Sequence, residues 1–395
     1  MSESEARTAS AIFDPTRLRI ARQAKILRKK DLADRAGVSP AAVSQYENGT
    51  ASPSPKVVAA LALALGVPSA YFAADRPLGE APATIAHFRS LRSTSKQERD
   101  RAFAHALMTW ELATLIERFI QLPDASLPSD LGLRPDDPLE LVEAAAREVR
   151  VALGIPSGPI PHVVRLLESR GVVCTRLPAQ TRRVFAFSCE FPGRSVVVLS
   201  TERTHRAAGR FDAAHEIGHL VLHHDAEPGT HAVERHANVF ASEFLAPTAE
   251  IADVLPARAD WKCLLDLKEV WGISIQALLY RARQLRIMPE HTYRRAMTEM
   301  SSRGWRTQEP GDDGRAEAPV LLRRAVTLMA DQGITLERIA NEARLSVETI
   351  EAIAPPDDRP VVRLDADPEN TDTSAPSSRR RSGSRRHETP ARRDR

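Results

Sequence analysis

Cysteine is scarce: three in 395 residues, at 174, 189 and 263, widely spaced and set among apolar residues. With no C-x-x-C pair, cysteine-based zinc modules and a disulfide framework are both disfavoured, as suits a reducing compartment. Long hydrophobic runs are missing too. Nothing approaches the 18 or more consecutive apolar residues of a membrane helix, and the opening MSESEARTAS is polar where a secretory signal would be apolar. The expectation is a cytoplasmic protein with no membrane association. Nor is there a bulk charge of either sign, because the net value is only +3. Eight arginines in 378–395 stand against Glu388 and Asp394, a local +6, which leaves the rest of the chain at −3. Any affinity for nucleic acid must therefore come from local patches. With 42% hydrophobic residues, the chain has material for two or three domains.

What is present is organised around Phe211–His224, FDAAHEIGHLVLHH. His215 and His219 are four apart in a stretch with helical apolar spacing, so they share one face, one turn apart. Two imidazoles at that spacing suit one Zn²⁺, with Glu216 beside them as the base for a water that the metal makes acidic. The alternative is an exposed polar helix. Against it, Phe211, Ala214, Gly218, Val221 and Leu222 form an apolar stripe directly beside the histidines. Gly218 costs a helix about 1 kcal/mol relative to Ala, which predicts that something packs closely there. The metzincin continuation would need Gly at Leu222 and His at Asp225, so that class is excluded. His223 and His224 read as structural, placed in the last turn where positive charge suits the helix dipole. A catalytic zinc usually takes a third protein ligand, and it must come from further on, where a second helical stretch runs from Ala232 to Pro247.

AAHEIGHLVLHHD followed by ERHANVFASEFLAP resembles the signature of the ImmA/IrrE family of zinc metallopeptidases. The resemblance implies that the opening Glu of the second stretch, Glu234, is the third zinc ligand. His236 stands where many members carry another acid and is a rival ligand. Before the motif, Val172–Thr175, Val184–Ser188 and Ser195–Leu199 are short and β-rich, with Pro192-Gly193 turning between the last two. Three such strands ahead of the motif helix predict a small α+β, zincin-like domain. An edge strand of its sheet can bind an extended peptide by backbone pairing across the metal. Arg210 reads as a plain surface charge, with an anion-facing residue at the helix start as the alternative.

Residues 15–73 read as five short helices, with Gly37 ending the second and Ser39-Pro40 opening the third. LADRAGVSPAAVSQYENG and PSPKVVAALALALGV resemble the Xre family of phage-type repressors. The resemblance implies that the third helix enters the major groove of duplex DNA. Its exposed face would hold Ala41, Ala42, Ser44 and Gln45, with Gln45 able to pair with adenine and Ser39 or Ser44 with phosphate or base. Lys29 and Lys30, with Lys25 and Arg28, form a basic cluster for phosphates. A single copy gives modest specificity, so a homodimer is one arrangement in which it would bind. The alternative for this domain is a helical interaction module that keeps the shape without reading DNA.

Elsewhere, Leu264–Leu285 suggests another helix-turn-helix shape, with Arg281, Arg283 and Arg286 read as parts of a structural bundle rather than a DNA surface. Residues 319–353 hold a further helical pair. The expected fold is multidomain: an all-α helix-turn-helix domain, an α+β metallopeptidase domain with a small sheet, a helical C-terminal region and a disordered tail. The boundaries are 1–14 disordered, 15–75 DNA-binding, 76–100 linker, 101–158 helical connection, 159–250 metallopeptidase, 251–354 helical, and 355–395 disordered and Arg-rich. The expected function is a DNA-binding regulator whose zinc endopeptidase cuts a partner protein, of the repressor kind, in a stress or phage-type response. The alternatives are a regulator with a structural or sensory zinc, and an antitoxin-like binding protein.

Overall fold

The computed structural model describes residues 3–74, 95–128, 131–178, 185–202, 205–222, 229–311 and 314–356, and the backbone of 86–88. The expected disordered tail from 357 onward and the pair His223 and His224 lie outside the described residues.

The N-terminal helices are α1 (Glu3–Ala11), α2 (Pro15–Ala24), α3 (Lys29–Ala36), α4 (Pro40–Glu47) and α5 (Pro55–Leu65), closed by a 3-10 turn at Ser69–Phe72. Local chemistry sets their ends. Asp14 caps α2 by accepting from the Thr16 N–H, Gly37 (φ 66°) ends α3 in the left-handed region, and Ser39 caps α4 by accepting from the Ala42 N–H at 3.1 Å. Leu18, Leu32, Val43, Leu61 and Leu65 are fully buried between them. One element departs from expectation. The segment 1–14, read as disordered, contains α1, whose Ala6 and Ala9 are buried in the same core. Two small apolar residues three apart are too weak a pattern to announce a helix, yet they fit a close seat beside α5.

A strand β1 (Ala86–Phe88) follows, and then α6 (Lys96–Ile116), opened by a reciprocal cap between Ser95 and Glu98. Buried positions lie all around α6, from Ala102 to Ile116, because it is a wall shared by two neighbours. On one side it meets the N-terminal helices, where the fully buried Arg17 reaches the Glu111 carboxylate at 2.9 Å and stacks over Tyr71. On the other it covers the sheet, with His105 Nε2 3.2 Å from the Thr175 hydroxyl.

After α7 (Leu139–Ala152) and α8 (Val163–Ser169) come β2 (Val173–Arg176), β3 (Ala186–Phe191) and β4 (Arg194–Leu199). The sheet order is β1-β3-β4-β2, antiparallel except for the parallel β2–β4 pair. The fourth strand, β1, comes from the stretch read as linker. Alternation divides the sheet's faces. Phe187, Cys189, Val196 and Val198 join the core under α6, whereas Ala186, Val197 and Leu199 join a second core. That second core is built by α7, α8, α9 (Arg206–Leu222), α10 (His231–Leu245), α11 (Thr248–Ile251), α12 (Trp261–Trp271), α13 (Ile275–Gln284) and α14 (Glu290–Ser302). The last helices, α15 (Leu321–Asp331), α16 (Leu336–Ala343) and α17 (Val347–Ile353), return to the first core.

The α3–α4 turn recurs twice. A left-handed residue, an apolar residue and a capping serine join α12 to α13 as Gly272-Ile273-Ser274, and α16 to α17 as Arg344-Leu345-Ser346. Each serine accepts from the N–H three residues on, at 3.1 Å for Ser274 and 3.2 Å for Ser346. Neither copy offers a basic reading face. Arg281 is buried against Glu243 and Arg283 pairs with Glu290, in accord with a structural bundle. The helix α17 carries Glu348 and Glu351, and its Ile353 carbonyl accepts from Thr175 of β2.

Arg210 is a correction. It is 1% exposed, and its guanidinium donates to Glu317 and to the Ile160 carbonyl. Burial lowers its pKa, and the Glu317 carboxylate opposes that. It ties the start of α9 to a segment more than one hundred residues later, a pairing no local pattern reveals.

Because Arg17 and Glu111 form a buried pair between α2 and α6, Glu111→Ala should remove the nearer of the guanidinium's two carboxylates, the other being Asp14 at 3.8 Å. We expect a loss of about 3 kcal/mol, read from urea unfolding of the full chain. An unchanged midpoint would show that the pair does not join the two parts.

Candidate metal centre

The helix α9 lies between the sheet and α10, so its motif face and its apolar face are both enclosed. His215 and Glu216 are 0% exposed and His219 is 1% exposed. Gly218 sets how near α10 can come. A Cβ built there would stand 3.2 Å from Ala237 Cα, 3.2 Å from Phe240 Cδ1 and 3.3 Å from Phe240 Cβ. The expected close packing is thus against α10. Thr230 caps α10 by accepting from the Val233 N–H, which places Glu234 in the first turn.

Three side chains meet across that contact. The His215 and His219 Nε2 atoms are 3.0 Å apart, the first 3.4 Å from Glu234 Oε2 and the second 3.5 Å from Glu234 Oε1. Burial alone would push the Glu234 carboxyl up, but hydrogen bonds from both imidazoles outweigh it and hold the group well below the usual carboxylate range. Tetrahedral ligands at about 2.0–2.1 Å from zinc stand roughly 3.3 Å from one another. The donor set, two imidazoles and one carboxylate with mutual separations of 3.0–3.5 Å, therefore fits that ion. Among the described residues this is the one such cluster. His236 is not part of it: its Nε2 lies 3.2 Å from the Asp137 carbonyl, on another side of α10.

Glu216 faces the sheet, where the Ser188 hydroxyl donates to its Oε2 at 2.8 Å. Ser188 is fully buried on β3, and its neighbours Phe187 and Cys189 point to the opposite core. Sequence reasoning missed this residue. The available signal was a hydroxyl on the α9-facing side of an apolar strand. Glu234 and Asp212 also line a cleft of about 980 Å³ between α9, α10 and α12–α14, together with Phe211, His231, Tyr280 and Tyr293.

Two family models match the chain. Residues 18–72 match that of helix-turn-helix domains, and residues 167–283 match that described as the IrrE N-terminal-like domain. The chain joins an Xre-type helix-turn-helix domain to an ImmA/IrrE-like domain. No curated protein matches it. The second match runs from α8 to α13 and so contains β2–β4, both metal-centre helices and the first recurrence of the helix-turn-helix geometry. It leaves out β1 and α15–α17.

In the Xre-type domain, Ala41 and Gln45 are exposed on α4, Ser39 and Lys30 are exposed nearby, and Ala42 and Ser44 are half-buried. Lys29 is drawn inward, donating to Ser44 at 2.8 Å and lying 3.6 Å from Glu47. Arg28 is held by Asp31. Lys30 is thus the more exposed of the two lysines, and Ser44 is partly spoken for.

Gly218→Ala gains about 1 kcal/mol of helix propensity but sets a methyl group 3.2 Å from Ala237 Cα and Phe240 Cδ1, which must give way, at about 1–3 kcal/mol. We expect a lower melting temperature and a several-fold weaker zinc affinity as α10 moves off α9. A more stable protein with unchanged zinc affinity would refute the close-packing account.

Proposed function

We propose that the chain is a cytoplasmic DNA-binding regulator whose ImmA/IrrE-like domain is a zinc endopeptidase acting on a partner protein, of the repressor kind, in a stress or phage-type response. The observation that carries this reading is the convergence of His215, His219 and Glu234 beside a buried glutamate that is not one of the three. Zinc at such a site supplies Lewis acidity, drawing the pKa of a water down to about 7. The two histidines and Glu234 would hold the ion from opposite helices. Glu216 would accept the proton from the attacking water and pass it to the leaving amine. Ser188 would orient it through the hydrogen bond its hydroxyl donates to Oε2. The closed wall of α9, α10 and β3 keeps bulk water from competing for these groups. A zinc that is merely structural or sensory needs no base, and it is the rival outcome of the test.

Glu216→Gln keeps size and shape but cannot take a proton. Metal content should hold while cleavage of the partner falls by about 10² to 10⁴, and the regulatory output, read from a reporter, should fail with it. Full regulatory activity in this variant would end the peptidase reading and leave the sensor.

DNA recognition would come from α4, with Gln45 reading a base edge and Lys30 and Lys29 at the phosphates. On this basis Gln45→Ala should weaken preferred sites more than random duplex, and affinity should fall steeply with salt. Equal losses on both kinds of DNA would show that α4 does not read sequence.

A further inference from the structure

The sheet edge beside the metal centre is covered by the chain itself. β1 pairs antiparallel with β3, with Ala86 opposite Cys189, His87 opposite Ser188 and Phe88 opposite Phe187. Ser188 is the residue that donates to Glu216. Three residues from the stretch joining the two family domains therefore run along the strand that walls the centre. Without them β3 would be the outer strand, since β4 lies on its other side. An outer strand presents unpaired N–H and C=O groups that accept any extended chain. The pairing made by β1 is three residues long, at the short end for a strand, so another strand can exchange with it. β1 also lies outside the stretch that matches the IrrE-like model.

We propose that the β3 edge is a docking edge for an extended peptide and that Ala86–Phe88 occupies it as an intramolecular competitor. The docking itself is independent of turnover; only its consequence, that the competitor holds back cleavage, rests on the peptidase reading. As part of the same chain, the strand competes at an effective concentration of order millimolar. A peptide partner engages the edge only as β1 leaves it.

The test uses the full chain with Glu216→Gln, zinc-loaded, and a fluorescent synthetic peptide of residues 84–92, TIAHFRSLR, with binding read by anisotropy. In an antiparallel ladder alternate residues turn their N–H groups to the partner strand, so Ala86→Pro with His87→Pro removes one ladder donor whichever register applies. Released in this way, the chain should bind the peptide about tenfold or more tightly than the unreleased chain. A lock gives the opposite result and guards against misfolding of the released variant. Directly opposed residues in such a ladder have Cα atoms about 4.5–5.5 Å apart, within disulfide range. Ala86→Cys, oxidised onto Cys189, should abolish peptide binding, and reductant should restore it. Equal peptide affinity in the unreleased, released and locked chains overturns the proposal. With Glu216 restored, a peptide that docks on the released chain but is never cut counts against the peptidase reading and leaves the edge intact.

Discussion

The molecule depends on how closely α9 and α10 approach. Gly218 has no side chain where Ala237 and Phe240 press against it, and a Cβ there would find carbon atoms at 3.2 Å. At that spacing Glu234, in the first turn of α10, comes within 3.5 Å of both motif imidazoles. A wider gap would leave two histidines on one helix and a carboxylate on another, with no common centre. The helix propensity given up at Gly218 is about 1 kcal/mol, and it is offset by burial of Phe240 and Phe244 in the second core.

A second constraint is α6. It is buried on nearly every side because it serves the Xre-type domain and the sheet together, with Arg17 and Glu111 on one flank and His105 and Thr175 on the other. One continuous core thus runs from α2 and α5 through α6 to the outer face of the sheet and to α15–α17. The two family domains share packing and are not beads on a string. The sheet that backs the candidate metal centre is part of that shared core.

Much of this was legible in the sequence wherever the signal was local. The i, i+4 histidines, the glycine between them, the Gly37–Ser39 turn and the three β-rich runs all depend on residues within a few positions of one another. Non-local features were not legible. Arg210 looked like a surface charge because its partner, Glu317, is 107 residues away. The strand β1 could not be seen because three residues among Pro, Arg and Ser carry no period, and it exists only by pairing with β3. The second recurrence of the helix-turn-helix was masked because Arg344, not glycine, takes the left-handed position (φ 52°). Glu234 and His236 could not be separated by spacing alone. What distinguishes them is direction around α10, towards the imidazoles for one and towards the Asp137 carbonyl for the other.

That direction gives the most immediate test of the proposed metal centre: zinc content of the full-length protein after dialysis against a weak chelator, for the unaltered chain, Glu234→Ala and His236→Ala. The account predicts about one zinc per chain in the unaltered protein and in His236→Ala, and little or none in Glu234→Ala. Zinc retained in full by Glu234→Ala, or lost from His236→Ala, would contradict it.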